Sequence, residues 1–306
     1  MKRTEEQEII GAPVISPVRI GGEEYGFATR IGGEPAIVES FNRLAKTTFD
    51  LWFEQVGGDY EPYVLLKDGE VCANVSVNRM AFCQNGEPLR YIQLGTVMTA
   101  EPFRRRGLGR FLMERVLEEW ENRCDGIYLF ANDSVLEYYR KFDFVPAEEY
   151  EYFQTGLAPQ PQELRRLSMD DPADAALALE KFREGNPFSA LWLDGCEALF
   201  DFYRFGWMKE HCFYSVRHDV MLMAEWNAQQ VLCWDVFGQT RAGPPELLGG
   251  LAQEGKQLVL GFTPRETAGW KCRVRREEDT TLFLRRGGRY PVGRGAKRMF
   301  PLVSHT

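Results

Sequence analysis

Between Val97 and Trp120 the chain reads VMTAEPFRRRGLGRFLMERVLEEW. Arg104, Gly107 and Gly109 follow an R-x-x-G-x-G spacing, with Arg105 and Arg106 alongside. Glycines leave successive backbone N–H groups unobstructed, a helix N-terminus adds partial positive charge, and guanidinium groups bind phosphate oxygens. The chemistry such a loop suits is the holding of a pyrophosphate. Spacing alone also fits a solvated basic turn ahead of a helix. Two other phosphate motifs are excluded, because a dinucleotide fingerprint needs G-x-G-x-x-G and a P-loop needs Gly-Lys-Ser/Thr.

The nucleophile inventory narrows the chemistry. Seven cysteines, at 72, 83, 124, 196, 212, 233 and 272, contain no C-x-x-C pair. That argues for free thiols in a reducing compartment and against a disulfide framework or zinc knuckle. The histidines, His211, His218 and His305, all lie in the second half. Ser–His or Cys–His machinery and a His-ligated metal are therefore disfavoured in the first half. No metal is expected.

A loop of this kind works only between elements that hold it. Tyr91–Thr99 reads as the strand before it, and 110–122 as an amphipathic helix after it, with Leu112, Met113, Val116, Leu117 and Trp120 on one stripe. Upstream, 34–56 reads as helix up to Gly57-Gly58, followed by strands near 63–66 and 70–82. Residues 1–33 read as irregular, with one short strand at 25–29. Downstream come a strand at 126–131, a helix at 133–142 and a strand at 144–153. The fold class is α/β with a sheet of mixed polarity.

In combination, TVMTAEPFRRRGLGRFLME and ANDSVLEYYRKFDFVP resemble the two characteristic motifs of the GNAT superfamily of acetyl-CoA-dependent N-acetyltransferases. The resemblance covers about residues 34–153. It implies a mostly antiparallel sheet flanked by helices, and acetyl-CoA as co-substrate. It also implies roles for particular residues. Val97, Met98 and Thr99 would offer a strand edge to the pantetheine arm, with a bulge exposing backbone groups and the N–H near Val97 polarising the thioester carbonyl. Arg104, Arg105, Arg106, Gly107, Leu108 and Gly109 would hold the pyrophosphate. Asn132 would bind the pantetheine arm, and Tyr139, seven residues on, would protonate the departing thiolate. Read as residues alone, Asn132 also fits a helix N-cap and Tyr139 a core position on its helix's apolar stripe. Asp143 stands where the family usually has glycine, which touches a turn rather than the chemistry. The strand YIQLGTVMT lacks the glutamate that often serves as base, and no base is assigned.

At 306 residues the chain is long enough for two domains. The turn-rich stretch 155–164 reads as a linker, giving 1–154 as a catalytic domain and 155–306 as a second, degenerate GNAT-like domain that shapes a substrate cleft or an interface. Its corresponding loop, GQTRAGPPELL, has two prolines where N–H donors would be needed. The stretches 212–226, 229–237 and 257–262 read as strands, PELLGGLAQEGK as helix, and DTTLFLRR with RMFPLV as closing strands. His305 is expected at the surface. The net charge of −8 falls wholly on residues 1–150, where 17 basic residues face 25 acidic ones. That balance disfavours DNA and suits a cationic acceptor. Residues 271–298 carry ten Lys and Arg against three acids, a strip that fits exposed loops or an acidic or RNA partner. No run approaches membrane-spanning length, so the expected setting is cytoplasmic, and a homodimer is compatible with it. The functional expectation is transfer of an acetyl group to a primary amine of a small molecule or peptide. A non-catalytic acyl-CoA sensor is the alternative.

Overall fold

The computed structural model describes residues 14–160, 163–293 and 295–305. The described residues divide into two compact units, 14–79 with 92–129 and 80–91 with those from 130 to 305. Both are mixed α/β, with sheets flanked by helices.

In the first unit a hairpin of β1 (Ser16–Ile20) and β2 (Glu23–Ala28) leads into α1 (Pro35–Phe49). Pro35 suits the first helical turn, and Ile37, Phe41 and Ala45 form its buried stripe. The helix ends earlier than its sequence predicts. Asp50 takes φ +60°, donating its N–H to the Lys46 carbonyl, so 51–56 leaves the helix. Strands β3 (Tyr60–Lys67), β4 (Glu70–Gln84) and β5 (Glu87–Thr99) follow, with α2 (Leu108–Trp120) and β6 (Gly126–Ala131) after them. β1 to β6 lie side by side in chain order. Asn85 and Gly86, within the 80–91 segment assigned to the second unit, turn the β4–β5 hairpin with φ +53° and +85°, the backbone of a tight hairpin turn. Leu112, Met113, Val116 and Leu117 of α2 are buried, each contributing roughly 1.5–3 kcal/mol of apolar burial. A second core joins Ala28, Ile31, Phe41, Val64 and Met98.

The second unit contains α3 (Leu136–Arg140), β7 (Phe144–Pro146), β8 (Tyr150–Thr155), β9 (Leu164–Arg166), α4 (Pro172–Arg183), β10 (Leu191–Leu193) and α5 (Glu197–Phe205). It continues with β11 (Cys212–Ser215), β12 (Val220–Trp226), β13 (Gln230–Gly238), α6 (Pro244–Leu248), β14 (Gln257–Leu260), β15 (Lys271–Val274) and β16 (Thr281–Arg285). Seven of its strands form a sheet ordered β15-β8-β14-β13-β12-β11-β9. β12 and β13 run antiparallel, β13 and β14 parallel.

Several expectations are corrected here. The strand expected over 144–153 is two strands, because β7 pairs with β16 while β8 pairs with β14 and β15. The stretch 212–226 is a hairpin, turned at Val216–Asp219. The helix expected from PELLGGLAQEGK stops at Leu248. RMFPLV forms no strand: Met299 exchanges hydrogen bonds with the Thr263 side chain, and a single 3₁₀ turn covers Leu302–Ser304. Residues 16–28 are a hairpin rather than irregular chain with one strand.

Candidate active site

In the first unit, β5 and α2 present the loop of residues 100–107. Thr96 interrupts β5 with φ +48°, a conformation that a β-branched residue rarely adopts. Val97 and Thr99 are half-buried, whereas the Met98 side chain points into the core against α1, leaving only its backbone for a ligand. Beyond Thr99, Arg105 takes φ +63°, and Gly107, at φ +86°, is the N-cap of α2. The helix therefore starts at Leu108, two residues earlier than its apolar stripe predicts, and Leu108 is buried beneath the turn.

This geometry leaves a run of donors. Among the described residues, none of the backbone N–H groups from Arg105 to Arg110 has a hydrogen-bond partner, while the Gly107 carbonyl already accepts from Phe111 at 3.0 Å. The first N–H groups of a helix carry its positive end, so an anion is the complementary guest. The arginines are exposed. Arg104 Nε donates to the Thr99 carbonyl at 3.2 Å, bracing the loop across its base. Arg106 meets Glu23 at 3.0 Å and lies over the Phe103 ring at 5.4 Å. Arg110 stands 3.8 Å from Glu114. Among the described residues Arg105 makes no ion pair.

Sequence reasoning missed the β1–β2 hairpin at this site. A Cβ on Gly107 would meet Ile20 at 3.7 Å, and one on Gly21 would meet the Arg106 carbonyl at 3.8 Å. The signal was present in the Gly21-Gly22 turn, but only Tyr25 and Ala28 of the hairpin are buried, so it shows no apolar face.

Asn132 and Tyr139 lie in the second unit. Asn132 begins the turn before α3, but its side chain does not cap it. Its Nδ2 donates to the Asp279 carboxylate at 2.9 Å, and the other oxygen of that carboxylate accepts from the Asp133 N–H at 2.6 Å. The cap is thus Asp279, from the β15–β16 turn, 146 residues on. Tyr139 is buried, its ring edge-on to Tyr138 at 5.3 Å and to Phe144 at 6.3 Å. Burial pushes its phenol well above the ordinary value, so it keeps its proton. Among the described residues its hydroxyl has no hydrogen-bond partner. Asp143 adopts φ +63°, the left-handed backbone that favours glycine, as a turn residue standing in for glycine must.

His305 is not a surface residue. Its imidazole stacks on Phe130 at 4.0 Å, and its Nε2 is buried without a partner among the described residues. Burial, then the nearby Arg275, hold its pKa down to about 3. Glu149 is buried as well, accepts from the Phe300 N–H at 2.8 Å, and is pushed up to about 7 by burial.

Among the described residues no cluster of three or more His, Cys, Asp or Glu could hold a metal ion, and no helix is long and apolar enough to cross a membrane. Carboxylates near the β5 loop are engaged or exposed: Glu23 is held by Arg106, and Glu101 lies at the surface.

Three comparisons bear on this arrangement. Residues 33–144 match the family model described as the Acetyltransferase (GNAT) family. No curated protein matches the chain. Among solved structures, a conserved protein of unknown function from Enterococcus faecalis V583 is 13 % identical, with a TM-score of 0.50, over 81 % of this chain and 69 % of that one. A GCN5-related N-acetyltransferase from Kribbella flavida is 14 % identical, with a TM-score of 0.49, over 81 % and 68 %. Eis1 from Mycobacterium abscessus is 15 % identical, with a TM-score of 0.49, over 89 % and 73 %. The Enterococcus faecalis structure, at that identity, speaks to fold alone. The matched span takes in Val97–Gly109, Asn132 and Tyr139, and residues 33–144 are accordingly a domain of the acetyltransferase (GNAT) family.

Proposed function

We propose that the chain transfers an acetyl group from acetyl-CoA to a primary amine by direct attack in a ternary complex. The observation that carries this is the run of unpartnered N–H groups from Arg105 to Arg110 at the N-terminus of α2, flanked by exposed arginines. Those groups would hold the coenzyme's pyrophosphate. Val97 and Thr99 would offer backbone groups to the pantetheine arm, Asn132 would contact that arm, and Tyr139 would act as acid.

The step balances without a metal or redox partner. The nitrogen lone pair of the neutral amine bonds to the thioester carbonyl carbon, and the carbonyl π pair moves onto oxygen, facing the Val97 N–H. Collapse breaks the C–S bond. The thiolate takes a proton from Tyr139, the new amide loses one to water, and the tyrosinate is reprotonated from solvent. Burial keeps this phenol protonated at neutral pH, and the same shift makes it a weaker acid than a free tyrosine. An amine that arrives deprotonated needs only proximity, which suits a β5 with no carboxylate between Leu89 and Thr99.

We propose further that 1–154 forms the catalytic domain and 155–306 a degenerate copy. The order α1, β3, β4, β5, α2, β6 is matched by α4, β11, β12, β13, α6, β14, with α5 and β10 added. The register of β12 against β13 skips Trp234, an irregularity in the strand that corresponds to β5. Pro244 and Pro245 open α6, which has only five residues, so the loop before it lacks the donors of the first.

The missing carboxylate favours a second reading, an acyl-CoA sensor that binds without turnover. Incubating the protein with acetyl-CoA and a panel of small amines and peptides, while following free thiol and product mass, separates the two. Thiol release with an acetylated amine supports the enzyme. Coenzyme binding without release for any acceptor supports the sensor.

A further inference from the structure

Thr96 is held by a closed ring of side chains inside the first unit. Asn74, Ser76 and Asn78 lie two apart on β4, on one face, and all are buried. Asn74 Nδ2 donates to the Thr96 backbone carbonyl at 2.7 Å and to Ser76 Oγ at 2.9 Å. Ser76 Oγ donates to the Tyr60 hydroxyl at 2.9 Å, and that hydroxyl lies 2.9 Å from Thr96 Oγ1. Tyr60 is itself clamped, its ring stacked on Phe53 at 4.8 Å and tilted against Phe41 at 6.3 Å.

The consequence lies one bond further on. A strand carbonyl ordinarily points to the neighbouring strand, but that of Thr96 accepts from a side chain. The peptide joining Thr96 to Val97 is trans, since no cis peptide occurs among the described residues. In a trans peptide the C=O and N–H point in opposite directions. Fixing the Thr96 carbonyl on Asn74 therefore fixes the direction of the Val97 N–H, away from Asn74. The φ of +48° at Thr96 needs such support, because an unsupported β-branched residue relaxes to an extended backbone.

We infer that Asn74 is a positioning residue: its amide holds the Thr96 carbonyl and so aims the Val97 N–H at the thioester oxygen. This rests on the acetyl-CoA reading of the β5 site. Ser76 and Tyr60 keep the Thr96 side chain in place, and of these three residues only Asn74 hydrogen-bonds the peptide that carries the donor.

The test uses acetyl-CoA labelled with ¹³C at the thioester carbonyl, read by isotope-edited infrared difference spectroscopy on the full chain, with calorimetry for affinity. In the unsubstituted protein the bound carbonyl band moves to lower wavenumber than in solution. In Asn74→Ala the band returns to its solution position and kcat falls roughly 100- to 1,000-fold, the scale of a lost oxyanion donor. Affinity for acetyl-CoA stays within about threefold. Asn74→Asp, equal in shape but presenting an acceptor to the Thr96 carbonyl, behaves in the same way and serves if the alanine variant does not fold. Tyr60→Phe keeps the shifted band. A folded Asn74 variant that keeps the band shift overturns the inference, as does bound acetyl-CoA with no shift in the unsubstituted protein. Either result leaves the acetyl-CoA reading standing. Absence of acetyl-CoA binding overturns both.

Discussion

The Arg106 guanidinium lies 3.0 Å from the Glu23 carboxylate, tying the β1–β2 hairpin to the loop whose amides are unpartnered. Both side chains are nearly half exposed, at 45 % and 46 %, so the pair is worth at most about 1 kcal/mol to stability. Its consequence concerns ligand binding instead. A carboxylate on this arginine competes with any phosphate that the arginine could reach. Glu23→Gln is expected to tighten coenzyme A binding about two- to fivefold at low salt, with the gain shrinking as ionic strength rises. Calorimetry at two salt concentrations checks it, and weaker binding would mean that Glu23 orients Arg106 for the ligand.

Gly107 sits at φ +86° with room for a Cβ, whose nearest neighbour would be Ile20 at 3.7 Å. Gly107→Ala therefore meets no clash and isolates the conformational cost, about 1–2 kcal/mol. The expected relief of that strain turns the N–H groups of the loop away from one another. Urea unfolding should show the modest stability loss, and calorimetry at least a tenfold loss of coenzyme affinity.

Tyr139→Phe separates the acid from the core residue. Among the described residues the hydroxyl has no hydrogen-bond partner, so its removal should leave stability unchanged or slightly raised. The acid role predicts a fall in kcat of roughly 100-fold with acetyl-CoA affinity intact. Unchanged kcat in a folded variant removes Tyr139 from the chemistry.

Asp235 is fully buried on β13, its Oδ1 accepting from Asn186 Nδ2 and from the Val236 N–H at 2.8 Å, while Oδ2 has no partner among the described residues. Burial pushes its pKa up to about 7 from 3.8. Between those values the folded state binds the proton that the unfolded state has lost, so this contribution to stability is complete below about pH 4 and declines as pH rises to 7. Glu149 acts in the same direction, and His305, held down to about 3, acts oppositely below its ordinary 6.5. Asp235→Asn keeps the shape and a donor at Oδ2. Chemical unfolding across pH 4–7 should show a less steep decline than in the unsubstituted chain, by up to about 1.4 kcal/mol per pH unit.

The anion loop was legible because its determinants are local. A glycine at positive φ, a strand before it and an apolar stripe after it are all written within 24 residues. What was not legible depends on distant partners. Asn74, Ser76 and Asn78 recur at a period of two, which reads as a solvated strand face, yet both faces of β4 are covered and the stripe is buried. Asn132 carried the sequence signature of a cap, but the capping carboxylate belongs to Asp279. RMFPLV has the composition of a strand, and its backbone bonds to the Thr263 side chain and the Gly261 carbonyl instead. The boundary of α1 failed for a different reason, since apolar Leu51, Trp52 and Phe53 prolong the pattern past the turn at Asp50.

The central claim is that the amides of Arg105–Arg110 receive the coenzyme's pyrophosphate. Amide ¹H–¹⁵N spectra of the labelled protein, titrated with coenzyme A, read those groups one by one. The largest downfield proton shifts are expected at residues 105–110, Gly107 and Gly109 among them, and 3′-dephospho-coenzyme A, which keeps the pyrophosphate, should reproduce them. Binding that leaves these six amides unmoved while shifting others would contradict the account.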